Sequence, residues 1–200
     1  MPITRPAVPN PKNVQLGAGV LVFNFNPDDW DAPETIAFGA VRGGGSYNVE
    51  PTNKPIRFDG DRGEDSKGLK RKTEQKIQIT VTALELDHAK LKKNMPGKVT
   101  NVTNGVDVPE YNKYRPKVDY DEEDYIENLA YITSNVNGDV VAYVIENVLG
   151  DGALSMAFTD KDEVVAETTF TAHFDYEQLD DDGEVIVPTY IVQYESETAT

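Results

Sequence analysis

The sequence predicts a mainly β protein, a two-sheet β-sandwich or barrel with one short flanking α-helix. Three observations predict it. Apolar and polar residues alternate in short runs, clusters of Gly, Pro, Asn and Asp separate those runs, and a single stretch carries helix signals. With 200 residues, 38% of them hydrophobic, the chain can bury one real core. It is expected to form an extended N-terminal arm over 1–15 and one β domain over 16–200, interrupted by a long polar loop at 59–72.

The arm, "MPITRPAVPNPKNVQ", holds four prolines and no apolar run, so neither a signal peptide nor a membrane span is expected there. Strands are then expected at "VLVFNF" (20–25), "TIAFGAVR" (35–42), "SYNVE" (46–50), "PIRFD" (55–59) and "EQKIQITVTALEL" (74–86). In the last of these Ile77, Ile79, Val81 and Ala83 share one face and Gln78, Thr80 and Thr82 the other, the period of a half-buried antiparallel strand. The helix follows: Asp87 can cap it, Leu91 and Met95 stack one turn apart, and Met95-Pro96-Gly97 stops it. Further strands are expected at 125–134, 139–148, 153–159, 164–176 and 184–194. Asn137-Gly138 and Asp182-Gly183 favour type I′ hairpin turns between antiparallel neighbours.

Charge excludes some functions and divides the chain. The formal net charge is -16, which disfavours a nucleic-acid or anionic-membrane binder. Residues 1–118 carry 18 Lys and Arg against 14 Asp and Glu, whereas residues 119–200 carry one cation, Lys161, against 21 acids. Many of the cations fall in "DGDRGEDSKGLKRK" (59–72), long for a strand connection, and long connections are commonly functional. No cysteine is present, so disulfides, thiolate nucleophiles and Cys-type zinc sites are excluded, in keeping with a reducing compartment.

Candidate chemistry is sparse. Arg42-Gly43-Gly44-Gly45 resembles a phosphate cradle, but "SYNVE" follows it where a phosphate loop needs a helix N-terminus. Gly43, Gly44 and Gly45 are therefore expected to permit a bulge or a close approach between strands. His88 and His173 have no metal-ligand spacing, and His173 is expected at an exposed or interface position. "LDDDGE" (179–184) lacks the spaced ligands of a calcium loop and reads as a solvated turn. No serine stands in a nucleophile elbow and no base can be paired with a nucleophile, so no cofactor, metal or catalytic residue is expected.

The order "LGAGVLVFNF", "IAFGAVRGGGSYNVEP", "IRFDGDRGEDSKGLKRK", "QITVTALEL" leading into a helix that ends in "MPG", and a late "TFTAHFDY", resembles the major tail protein, or tail-tube protein, of long-tailed (siphovirus-type) bacteriophages. The resemblance spans about residues 16–192 and rests on spaced glycines and strands. It implies a fold shared with type VI secretion tube proteins, and stacked, hexameric rings around a channel through which genomic DNA passes without tight binding. It also implies tape-measure, distal tail and tail-terminator partners, and a place in the virion tail after assembly in the host cytoplasm. Gly43 to Gly45 would lie at a strand junction. The loop carrying Arg57, Asp59, Arg62, Lys67, Lys70, Arg71 and Lys72 would reach a neighbouring ring, its cations meeting acids from the C-terminal half of another subunit. No particular acid is assigned to the channel wall. The competing expectation is a non-polymerising decoration or carbohydrate-binding module, with ten tyrosines and Trp30 as stacking surfaces.

Overall fold

The computed structural model describes residues 15–29, 35–85, 87–103, 109–152, 154–158, 160 and 163–194. Of the expected arm only Gln15 falls among them, and Trp30 and Lys161 lie outside the described residues. The strands are β1 (Gln15–Phe23), β2 (Ile36–Ala37), β3 (Val41–Pro55), β4 (Lys70–Ala83), β5 (Gly97–Val102), β6 (Tyr111–Pro116), β7 (Ile126–Asn135), β8 (Val140–Leu149), β9 (Ser155–Ala157), β10 (Val165–Ala172) and β11 (Thr189–Tyr194); among the described residues one α-helix, α1, covers His88–Asn94, and a single 3-10 turn covers Glu122–Asp124.

Nine strands form one antiparallel sheet in the order β2-β1-β7-β8-β10-β4-β3, with β11 added to β8 and β9 to β10. The second sheet is the β5–β6 hairpin alone. The architecture is thus mainly β with one short helix, as the sequence predicts, but it is neither two comparable sheets nor a barrel. The ladder ends at β2 and β3 and does not close. The reason lies in β8, one edge of which pairs with β11 over Val140–Ile145 and with β10 over Val148–Leu149. Between these two pairings Asn147 takes a positive φ of 50°. That kink lets a single strand belong to both halves of a folded-over sheet.

The main core fills the fold between those halves. Leu21, Phe23, Leu129, Tyr131 and Ile145 come from β1, β7 and β8, and meet Ile77, Ile79, Val81 and Phe170 from β4 and β10. Phe23, Phe38 and Phe170 form an edge-to-face trio with ring centroids 5.7 to 6.0 Å apart, a geometry favoured by the opposite charge of ring face and edge. A smaller cluster of Val22, Phe25, Ala130, Ala142 and Val144 packs with Tyr190, Val192 and Tyr194. On β4 the expected alternation holds: Ile77, Ile79, Val81 and Ala83 are buried, while Thr80 bonds Thr169 and Gln78 bonds Thr171 across the other face.

The helix is bounded where its capping residues predict. Asp87 accepts the Lys90 backbone N–H at 2.8 Å, and the last turn closes by Met95 N–H to Leu91 O before Pro96.

Several strand boundaries differ from expectation. The run expected at 35–42 is broken after Ala37, where Gly39 has φ 109°. The strand expected at 46–50 is part of a longer one, β3, that passes through Pro51 and ends at Pro55; an edge strand tolerates proline because its outward N–H needs no partner. Of the strand expected at 55–59 only Pro55 belongs to it, and residues 56–59 lead into the turn at 59–60 instead. The runs expected to 176 and from 184 shorten to β10 and β11, leaving between them a single bridge, Leu179 to Val185. The two Gly-containing turns are three-residue loops rather than two-residue type I′ turns. Asn135 N–H bonds Asp139 O and Asp180 N–H bonds Glu184 O, with Gly138 and Gly183 at φ 90° and 77°. In both, the Asx side chain at the head of the loop accepts two backbone N–H groups, which favours this longer form.

Candidate functional site

The β3–β4 hairpin extends beyond the pairing of β4 with β10. β4 is held by β10 only as far as Gln78, opposite Thr171, whereas its pairing with β3 continues to Lys70 opposite Pro55. The overhang from Ile77 to Lys70 is about 20 Å at ~3.3 Å per residue. The outer edge of β3 is the end of the sheet ladder.

The hairpin is bent at its root by the triple glycine. Val41 pairs with Ala83 but Gly45 pairs with Val81, so β3 carries two extra residues there. Gly43 and Gly44 occupy φ 76° and 82°. A Cβ on Gly44 would lie 2.9 Å from Gly17 O, and one on Gly45 3.0 Å from both the Tyr131 ring and Val81. The Tyr131 hydroxyl donates to Gly17 O at 3.0 Å and fixes the same crossing from the other side. The glycines therefore serve a strand bulge and a close approach to β1, as their sequence context predicts. Arg42 beside them is paired with Glu163 at 2.8 Å.

The candidate interface residues separate into two groups. Lys70, Arg71 and Lys72, expected in the loop, belong to β4 and pair with Pro55, Lys54 and Asn53, so the connection is 56–69. Within it Arg57 acts as an organiser. Its guanidinium donates to Glu64 O at 2.9 Å and pairs with Asp61 and Asp65 at 3.3 and 3.4 Å, while Lys70 reaches Asp65 at 3.5 Å. The Gly63 N–H, with Arg57, holds the Asp61 carboxyl below its usual range despite the opposing effect of burial. Arg62 and Lys67 lie on the exposed part of the connection, as does Asp59 in the turn at 59–60. A hollow of about 600 Å³ opens near the hairpin end, lined by Lys54, Arg57, Arg71 and Lys72.

Beside the hairpin lies a group that sequence reading did not assemble. Phe174 and Tyr176 stack with centroids 6.5 Å apart, and His173 stands edge-on to Tyr125 at 5.3 Å. His173 is half-buried, its Nε2 is 4.0 Å from Asp151, and its backbone N–H bonds Asn147 O. A hollow of about 520 Å³ joins Phe174, Tyr176, Val185 and Val187 to Lys72 and Glu184. A basic strand residue and an acid of the C-terminal half thus border one cleft within the same chain. Tyr125 and Phe174 come from segments far apart in sequence and border one hollow.

Among the described residues no three His, Asp or Glu side chains are grouped to hold a metal ion, and no helix is long and apolar enough to cross a membrane. No protein-family model matches the chain, and no curated protein matches it.

Proposed function

We propose that the chain is a phage-type tail-tube subunit, a structural virion protein without catalytic role that self-assembles into stacked hexameric rings around a channel for DNA. The observation that carries this reading is the overhanging β3–β4 hairpin, with Lys54, Arg71 and Lys72 at its end and, along its side, an edge strand that among the described residues has no second neighbour. Rings and stacks are both built from contacts between unlike surfaces, and opposite charge on those surfaces favours and orients such contacts. The excess of 21 acids over one cation in residues 119–200 supplies the complement. The same excess keeps a DNA duplex solvated rather than held, since each retained phosphate contact would slow its passage. In this role the subunit works in the virion tail alongside tape-measure, distal tail and tail-terminator proteins, after assembly in the host cytoplasm.

Negative-stain electron microscopy of the purified chain over a concentration series, with light scattering on the same samples, tests the reading. Rings or hollow tubes are expected, growing with concentration. A chain that stays monomeric throughout overturns it. The exposed Tyr176 ring stacked on the half-buried Phe174 favours a second reading, a carbohydrate-binding or decoration module, because an exposed ring presents a flat apolar face to a sugar. That reading requires a persistent monomer that binds glycans and loses them on Tyr176→Ala.

A further inference from the structure

The aromatic group beside the hairpin has the makings of a docking surface. Glu122, Tyr125, His173, Phe174, Tyr176 and Glu177 border a hollow of about 460 Å³, and Tyr176 and Tyr125 are 77% and 40% exposed. Its rim is acidic, with Asp175 adding to the two glutamates.

One segment of the chain matches this surface in chemistry. Residues 1–14, "MPITRPAVPNPKNV", lie outside the described residues, but their sequence and point of attachment are fixed: four prolines, Arg5 and Lys12, no acid, and a junction with β1 at Gln15. A proline-rich segment has few N–H groups for a strand ladder, loses little freedom on binding, and is read by aromatic-lined grooves that grip its rings. The attachment point also has a meaningful position. Gln15 pairs with Asn135 at one end of β7, whereas Tyr125 immediately precedes Ile126 at the other, about 30 Å away at ~3.3 Å per residue.

We infer that the proline-rich segment 1–14 of one copy docks on the Tyr125–Phe174–Tyr176 ridge of a second copy. The inference rests on the reading that copies of this chain associate head to tail. With donor and acceptor at opposite ends of one strand, every copy both gives and receives a segment, a head-to-tail contact that can close a ring or join one ring to the next. Arg5 and Lys12 face the acidic rim, and the prolines of Pro6-Ala7-Val8-Pro9 cover the aromatic rings.

The first test is fluorescence anisotropy of a labelled peptide of sequence 1–14 titrated with the full chain. Saturable binding is expected, weakened at least about tenfold by Tyr176→Ala in the protein or by Pro6→Ala with Pro9→Ala in the peptide. Tyr176 is largely exposed, so the variant should melt as the parent does. Absent binding, or binding that ignores both changes, overturns the inference. The second test mixes full-length Tyr176→Ala with full-length Pro6→Ala/Pro9→Ala. The intact segment of the first meets the intact ridge of the second, so sedimentation should show complexes of two copies that neither variant forms alone. Peptide binding without such complexes places the segment on its own ridge and overturns the assignment to a second copy. Tubes that form equally well from both variants overturn the inference and leave the tube reading standing. A wild-type chain that never forms rings yet binds the peptide through Tyr176 overturns the tube reading instead.

Discussion

Lys117 Nζ lies 2.8 Å from Asp124 Oδ2 and 2.9 Å from Oδ1, and the Asp124 side chain is only 2% exposed. The same carboxylate accepts the Asp121 backbone N–H at 2.9 Å, while Lys117 N–H bonds Pro96 O and Tyr114 OH bonds Met95 O. The pair therefore ties the root of the β5–β6 hairpin to the entry of β7. Burial pushes the Asp124 carboxyl up, but the Asp121 N–H and the Lys117 ammonium outweigh it and hold the group below its ordinary value. A carboxyl lowered in the folded state contributes stability that is complete above its unfolded value, about pH 4, and is lost as pH falls through the folded one. Asp124→Asn should lower the thermal midpoint by several degrees near neutral pH, and the gap from the wild type should close towards about pH 2. A gap that stays constant across that range would show that the carboxylate charge is not what holds the hairpin.

The bulge at the hairpin root allows a matched comparison. Gly43 and Gly44 have nearly the same φ, yet a Cβ on Gly43 meets nothing within 4 Å whereas one on Gly44 meets Gly17 O. Gly43→Ala should cost about 1 kcal/mol for the left-handed backbone alone. Gly44→Ala should cost roughly 2–3 kcal/mol, because backbone must also move. Urea unfolding of both variants separates strain from crowding, and equal losses would mean that β1 yields freely at Gly17.

Where one physical signal dominated, the sequence was readable. The Ile77–Ala83 alternation identified the buried face of β4, though the strand runs over Lys70–Ala83 rather than 74–86, and the Asp87 and Met95-Pro96 boundaries settled α1, because burial of one face and capping are local effects. β5 and β6 were not readable: "GKVTNV" and "YNKYRP" are exposed over most of their length and show no buried face to set a period. β3 was divided at Pro51 because proline ordinarily ends a strand, and only its place at the sheet edge removes that objection. The glycine bulge was legible from what followed it. The aromatic ridge was not, since Tyr125 and the run from His173 to Tyr176 lie far apart in sequence and come together only in the folded chain.

Asn94 presents the opposite of a satisfied core residue. It is 3% exposed, and among the described residues neither its Oδ1 nor its Nδ2 has a hydrogen-bond partner. A buried amide without partners loses its hydration and regains nothing, which costs more than an apolar group of similar shape. Asn94→Leu should raise stability by about 1 kcal/mol in urea unfolding. A loss of similar size would mean that a buried water serves the amide, and a high-resolution crystal structure would locate it.

The charge on the hairpin tests the proposed assembly most directly. Lys70, Arg71 and Lys72 are exposed on the part of β4 that pairs with β3 but not with β10, and Arg62 and Lys67 are exposed on the connection beyond it, so none supports the buried core. Replacing all five by Gln should leave the melting temperature within a few degrees of the parent, since exposed charges contribute little to folding. Ring or tube formation should nevertheless fail, or require at least about tenfold more protein, because opposite charge selects the contact between unlike surfaces. Wild-type assembly should weaken from about 0.05 M to about 0.5 M salt as screening shortens the reach of these charges, and the five-fold variant should lose that dependence. Assembly by the variant at the parental concentration and with the parental salt profile would remove the hairpin cations from the interface, and the acidic C-terminal half would then need another partner.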